Sequence, residues 1–138
     1  LLNRPSIILN SNQFKGKDVI LLQASKLKLT NNKLSGLFSF LCDRSAAGNL
    51  GILDLSNNQI KGQLPDCWKS VDTLLVLDLS HNTLSGKIPI SLGTLVKLKA
   101  LDLGYNNLMG GLPSTLKNCS NLIMLYVGEN MLSGPITS

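Results

Sequence analysis

Asp78, Ser80 and His81 lie within one short stretch, LDLSHNTLSGKIP, that spans residues 77–89. A carboxylate, a hydroxyl and an imidazole are the groups of a serine hydrolase, in which the imidazole takes the hydroxyl proton and the carboxylate orients the imidazole. That chemistry needs the three groups to converge from different segments beside an oxyanion hole. Neighbours on one extended strand point along parallel lines and cannot converge. The chain also carries Asp54, Ser56 and Asn57, and again Asp102, Gly104 and Tyr105, in the same arrangement. The aspartate therefore belongs to a recurring pattern and the histidine does not, so no catalysis is expected. Three cysteines and one histidine give no zinc spacing. Neither a metal nor a cofactor is expected.

The pattern is L-x-L-x-x-N-x-L-x-G, and it recurs along the whole chain. It reads ILNSNQFKG to Gly16, with Ile7 opening the string, then LKLTNNKLSG to Gly36 and LDLSNNQIKG to Gly62. LDLSHNTLSG to Gly86, LDLGYNNLMG to Gly110 and LYVGENMLSG to Gly134 follow. The asparagines in register are Asn12, Asn32, Asn58, Asn82, Asn106 and Asn130, at spacings of 20, 26, 24, 24 and 24.

One repeat can be read physically. Leu77 and Leu79 alternate with Val76, Asp78 and Ser80, the period-two pattern of a short strand with one buried face. Asn82 stands where the chain turns, and its amide can bond backbone N–H and C=O groups that no strand ladder reaches. Leu84 and Ile88 point back to the core, and Gly86 supplies a backbone conformation that a side chain resists. Pro89 then fixes an extended or turn geometry. Leu92, Leu95 and Leu98 are buried on the return to the next strand.

A single unit cannot bury its own apolar face, but stacked units can. The expected architecture is an α/β repeat: a right-handed leucine-rich-repeat solenoid of about six 24-residue repeats. It forms a single domain over residues 1–138, with a parallel sheet on the concave face and loops or 3-10 turns on the convex face. At about 4.8 Å between strands, six turns span roughly 25–30 Å.

Composition agrees with this reading. Hydrophobic residues make up 43% of the chain but aromatics only 4%, so the core must be aliphatic. Fourteen asparagines and twelve glycines call for many regular turns. The net charge of +5 arises within residues 1–50, where seven basic residues face two acidic ones. That surface lacks the dense basic patch interleaved with aromatics that nucleic-acid binding requires. No apolar run is long enough to cross a membrane.

The fragments LDLSNNQIKGQLPDCW, LDLSHNTLSGKIPISLGTLVKL and GGLPSTLKNCSNLIMLYVGENMLSGPI resemble the plant-type extracellular leucine-rich repeat. LFSFLCDRS and QLPDCWKS are similar to segments of leucine-rich-repeat receptor-like proteins, in the group of receptors for a fungal ethylene-inducing xylanase. The resemblance implies a cell-surface ectodomain that presents its concave face to a protein or peptide ligand, with a co-receptor as a further partner. It implies no catalysis. Three departures stand out. The first interval is short, so GKDVILLQASKL forms a trimmed turn. DRSAAGN carries a two-residue insertion, and the paired-cysteine caps of such solenoids are missing. The chain reads as an internal piece of a longer ectodomain or a truncated relative, with uncapped ends through which it can self-associate. A secreted inhibitor of pathogen cell-wall hydrolases, similar to polygalacturonase-inhibiting proteins, is the alternative.

Candidate contacts are the outward residues of the strand column: Lys26, Lys28, Asp54, Asn57, Asp78, His81, Asp102, Tyr105, Met124, Tyr126 and Glu129. The aspartates need no ligand, since the repeat itself favours LDLS, and Lys26 and Lys28 can neutralise them. His81, Tyr105, Met124 and Tyr126 are the stronger candidates, because aromatic and methionine side chains concentrate binding energy. Cys119 falls in the column of Leu95 and Val71 and reads as a buried core residue. Cys42 and Cys67 lie ten and nine residues after their register asparagines, on adjacent turns. A disulfide is within their reach, although the one-residue offset and the inserted loop act against it. Asn118, in NCS, is the candidate N-glycosylation acceptor. Trp68 reads as a large core filler with its N–H near the edge.

Overall fold

The structure is a computed structural model that describes residues 6–8, 26–28, 41–42 and 49–133. The register residues Asn12 and Asn32, the short first turn and the residues 43–48 of the inserted loop lie outside them. Two parallel sheets follow from the repeat. The first contains β1 (Ser6–Ile8), β2 (Lys26–Lys28) and β3 (Ile52–Asp54). The second begins with β4 (Lys61–Gln63). After that the strands alternate between sheets: β5 (Val76–Asp78), β6 (Thr83–Lys87), β7 (Ala100–Asp102), β8 (Asn107–Gly110), β9 (Met124–Tyr126) and β10 (Met131–Leu132). Their orders are β1-β2-β3-β5-β7-β9 and β10-β8-β6-β4.

In the first sheet Leu27, Leu53, Leu77, Leu101 and Leu125 are direct partners. The strands stop after three residues for a local reason. In β3, β5 and β7 the final aspartate accepts a hydrogen bond from the N–H two residues on, at 3.1, 3.0 and 2.9 Å for Ser56, Ser80 and Gly104. This Asx turn bends the chain out of the ladder.

The second sheet was not expected from the sequence, which pointed to loops and 3-10 turns opposite the first. The constant 24-residue interval explains it. Once the first sheet sets the register, the N-x-L-x-G segments of successive turns lie side by side and pair as well, for example Ser85 with Asn107 and Lys61 with Thr83. Gly86 is needed there. It adopts φ +77°, and a Cβ on it would meet Gln63 Cγ at 2.9 Å. Short 3-10 turns at Trp68–Val71, Ile90–Thr94 and Ser114–Asn118 complete each circuit. Pro89 and Pro113 precede the last two with extended backbone.

The core between these layers is aliphatic. Leu53, Leu77, Leu79, Leu84, Leu92, Leu95, Leu98, Leu101 and Leu108 have no accessible surface. Trp68 is only 1% exposed, and its indole nitrogen is inside with the rest of the ring, not at the edge. The last turn lacks a covering neighbour among the described residues, and there Leu125 is 39% and Ile123 84% exposed.

The asparagines staple one turn to the next. Asn82 Nδ2 donates to Leu79 O and Ser80 O of its own turn and to Leu55 O of the preceding one, at 3.0, 3.2 and 3.1 Å. Its Oδ1 accepts from Ile60 N at 3.1 Å. Asn106 does the same with Leu103 O, Gly104 O, Leu79 O and Leu84 N. Both side chains are buried, so a lost amide would strand several backbone groups away from water. Asn106→Ala should therefore cost about 2–4 kcal/mol in denaturant unfolding, while Asn107→Ala, one residue on and exposed, should stay within about 0.5 kcal/mol of the parent.

Candidate functional site

The open face of the first sheet presents four parallel columns. The first strand position gives an apolar stripe of Ile52, Val76, Ala100 and Met124. Its first three members are half-buried, and Met124 is 45% exposed. The third position gives Asp54, Asp78, Asp102 and Tyr126. Ser56, Ser80, Gly104 and Gly128 form the next column, then Asn57, His81, Tyr105 and Glu129.

The structure corrects the outward reading of the serines. Ser56 and Ser80 are each only 6% exposed, and their hydroxyls donate back to Asp54 and Asp78 at 2.6 and 2.7 Å. Ser80 is thus a turn residue, and His81 makes its ring contact elsewhere, with Tyr105. No nucleophile–base pair forms among Asp78, Ser80 and His81. Burial pushes the Asp78 carboxyl above the usual carboxylate range, the charges of Asp54 and Asp102 push it the same way, and the Ser80 hydrogen bonds oppose them.

The fourth column holds what the sequence did not show. Asn57, His81, Tyr105 and Glu129 all adopt left-handed backbone, with φ of 57°, 57°, 56° and 58°. For a residue with a side chain this conformation costs roughly 1–2 kcal/mol. The adjoining turn enforces it through bonds from Asn57 N to Ser80 O, His81 N to Gly104 O and Tyr105 N to Gly128 O, each 3.0 Å. Asn57 and His81, residue types enriched in this region, were the signals of it in the described part of the column.

Identical backbone at 81 and 105 throws the two rings out in parallel. His81 and Tyr105 stack with centroids 4.3 Å apart and planes 10° apart, and Tyr105 meets Tyr126 at 6.4 Å and 27°. Stacked rings at such separations attract one another beyond their area burial. Tyr126 joins the ridge by lying over two glycines. A Cβ at Gly104 would stand 2.5 Å from Tyr126 Cδ2, and one at Gly128 would meet its hydroxyl at 2.8 Å. Where the two preceding repeats carry serine, this one leaves a floor for the ring. Tyr105 and Tyr126 remain 46% and 41% exposed.

The other candidates separate. Asn57 and Glu129 are exposed at the edge of this face. Lys26 and Lys28 belong to β2, in register with Ile52 and Asp54, and their side chains lie outside the described set. Cys42 and Cys67 form a disulfide with a Cα separation of 5.3 Å. Cys119 is free and buried, with its thiol 3.7 Å from Leu92 O, and burial raises its pKa. Asn118 ends a 3-10 turn and is exposed, away from the columns.

Gly104→Ser restores the residue that this column carries at 56 and 80, so the fold should survive. The Tyr126 ring should be driven off its floor, which nuclear Overhauser contacts between the rings of Tyr105 and Tyr126 would report as lost.

A family model described as leucine-rich repeat matches residues 48–108. Over 69 residues the chain is 40% identical to receptor-like protein EIX2 of Solanum lycopersicum, a stretch that covers 49% of this chain and 7% of that protein. Among solved structures, the plant peptide hormone receptor RGFR1 in complex with RGF2 aligns with a TM-score of 0.79 and 28% identity, over 96% of this chain and 21% of the receptor. The ectodomain of the receptor kinase SOBIR1 from Arabidopsis thaliana aligns at 0.71 and 29%, over 93% of this chain and 72% of that one. The chain thus spans a small part of the tomato protein and about a fifth of the hormone receptor. The repeat pattern, the paired parallel sheets and these likenesses agree: the chain is a leucine-rich-repeat solenoid similar to the ectodomains of plant leucine-rich-repeat receptors.

Proposed function

We propose that the chain is a non-catalytic recognition segment of a plant cell-surface receptor-like protein that perceives a microbial elicitor or peptide in defence signalling. The observation that carries this reading is the ridge of His81, Tyr105 and Tyr126, together with Met124, exposed on the open face. These rings leave the repeat's own pattern where no core needs them, with His81 and Tyr105 held in turns bonded to the next repeat and Tyr126 on a paired strand. A rigid aromatic patch of this kind binds at small entropic cost. Signalling would fall to other parts of the receptor and to a co-receptor, and Asn118 is accessible for a glycan on the secreted side. The Cys42–Cys67 disulfide suits an oxidising compartment.

Pull-down of fungal xylanase and of polygalacturonase by the 138-residue chain separates the receptor-like reading from the inhibitor-like one. Retention of xylanase alone, lost in a Tyr105→Ala/Tyr126→Ala double variant, is the expected result. Retention of polygalacturonase alone would favour a secreted hydrolase inhibitor, and retention of neither would remove the support for both.

A second reading rests on the last turn, where Ile123, Leu125 and Met131 are exposed at 84%, 39% and 59%. Apolar surface of this kind associates in water. The isolated chain should therefore self-associate in light scattering, with an apparent mass that rises with concentration. A concentration-independent monomer would contradict this second reading.

A further inference from the structure

The charges of the described solenoid are segregated. Within residues 49–133, four of the six acidic side chains stand on the open face: Asp54, Asp78, Asp102 and Glu129. The lysines of the same span lie elsewhere. Lys61 and Lys87 belong to the second sheet, Lys69 and Lys117 to 3-10 turns, Lys97 to the segment after one, and Lys99 precedes β7. Lys28 lies in register beside Asp54, at the far end of the ladder from the ridge. Asp78 and Asp102 each spend Oδ1 on the turn two residues on, and Asp78 also on the Ser80 hydroxyl. Neither carboxylate forms an ion pair with a described basic residue. These two like charges stand on directly paired positions of strands that run about 4.8 Å apart, so a cation placed between them relieves repulsion as well as gaining attraction.

What flanks that pair narrows the partner. On one side runs the apolar stripe of Val76, Ala100 and Met124, on the other stand the stacked rings of His81 and Tyr105, and Tyr126 continues the aspartate column itself. Aromatic faces attract guanidinium and ammonium groups, with arginine the more frequent partner. An apolar stripe accepts aliphatic side chains. Building on the recognition reading above, we infer that the open face of β5, β7 and β9 takes an extended peptide segment in which arginine or lysine alternates with apolar residues. Its cationic groups sit between Asp78 and Asp102 and against Tyr105 and Tyr126, and its aliphatic side chains sit on Val76, Ala100 and Met124.

The test titrates the 138-residue chain with two capped pentapeptides, Arg-Leu-Arg-Leu-Arg and Glu-Leu-Glu-Leu-Glu, and follows backbone amide shifts. The arginine peptide should bind at least about tenfold more tightly, shift the amides of β5, β7 and β9, and weaken several-fold between about 0.05 and 0.3 M salt. Asp78→Asn/Asp102→Asn keeps the turn acceptors, so the chain should melt as the parent does while the arginine peptide binds about tenfold more weakly. Asp66→Lys makes the same change in net charge off this face and should leave binding unchanged. Three results would overturn the inference: no binding of the arginine peptide at millimolar concentration, equal loss with Asp66→Lys, or shifts confined to other surfaces. Tighter binding of the glutamate peptide on the same strands would overturn the cationic class alone and leave recognition by this face intact. The xylanase pull-down tests that recognition separately.

Discussion

The structure depends on one interaction: the buried asparagine amide that holds each turn to its predecessor. The two protons of Asn82 Nδ2 are shared among three carbonyls on two turns, and its oxygen takes an N–H from the earlier one. Asn106 and Asn130 repeat the arrangement at the next two steps. No other side chain of comparable size supplies both a double donor and an acceptor in a fixed plane. Because the same residue serves the same groups every 24 positions, the sheets stay in register. The hydrophobic columns between them follow from that register.

The repeat constrains some outward residues as firmly as the inward ones. Asp54, Asp78 and Asp102 close Asx turns, and Ser56 and Ser80 reinforce two of them, so these residues would be required whether or not a ligand existed. Information particular to this chain begins where the pattern is broken. Gly104 replaces the serine, Tyr126 replaces the aspartate, and His81 and Tyr105 occupy a left-handed position where glycine would be unstrained. These breaks meet in one place, which is what separates the ridge from scattered exposed aromatics.

Most of the scaffold was legible in the sequence because its determinants are periodic. Leu77, Asn82, Leu84 and Gly86 each occupy a fixed step and each has a physical task that spacing alone reveals. The second sheet was missed because its strands read KGQ, TLSGK and NLMG, with no alternation to mark them, and their pairing is imposed by the first sheet. The left-handed backbone of Tyr105 was hidden for a similar reason. It is enforced by a hydrogen bond to the next turn and not by the residue itself. The membership of Tyr126 in the ridge depended on reading Gly104, a residue 22 positions earlier, as empty space. The proximity of Cys42 and Cys67 could be read from register, but a one-residue offset concealed how the two turns meet.

If the asparagine ladder is what fixes the open face, the amides it captures must open only when the solenoid unfolds. Native-state hydrogen exchange of Ile60, Leu84 and Leu108, whose N–H groups donate to Asn82, Asn106 and Asn130, measures this directly. Protection of Ile60 and Leu84 as high as that of the strand amides of Leu77 and Leu101, lost in step with global unfolding under mild denaturant, is the predicted result. Exchange of Ile60 and Leu84 as fast as the exposed turn amides, with the strands still protected, would contradict the account.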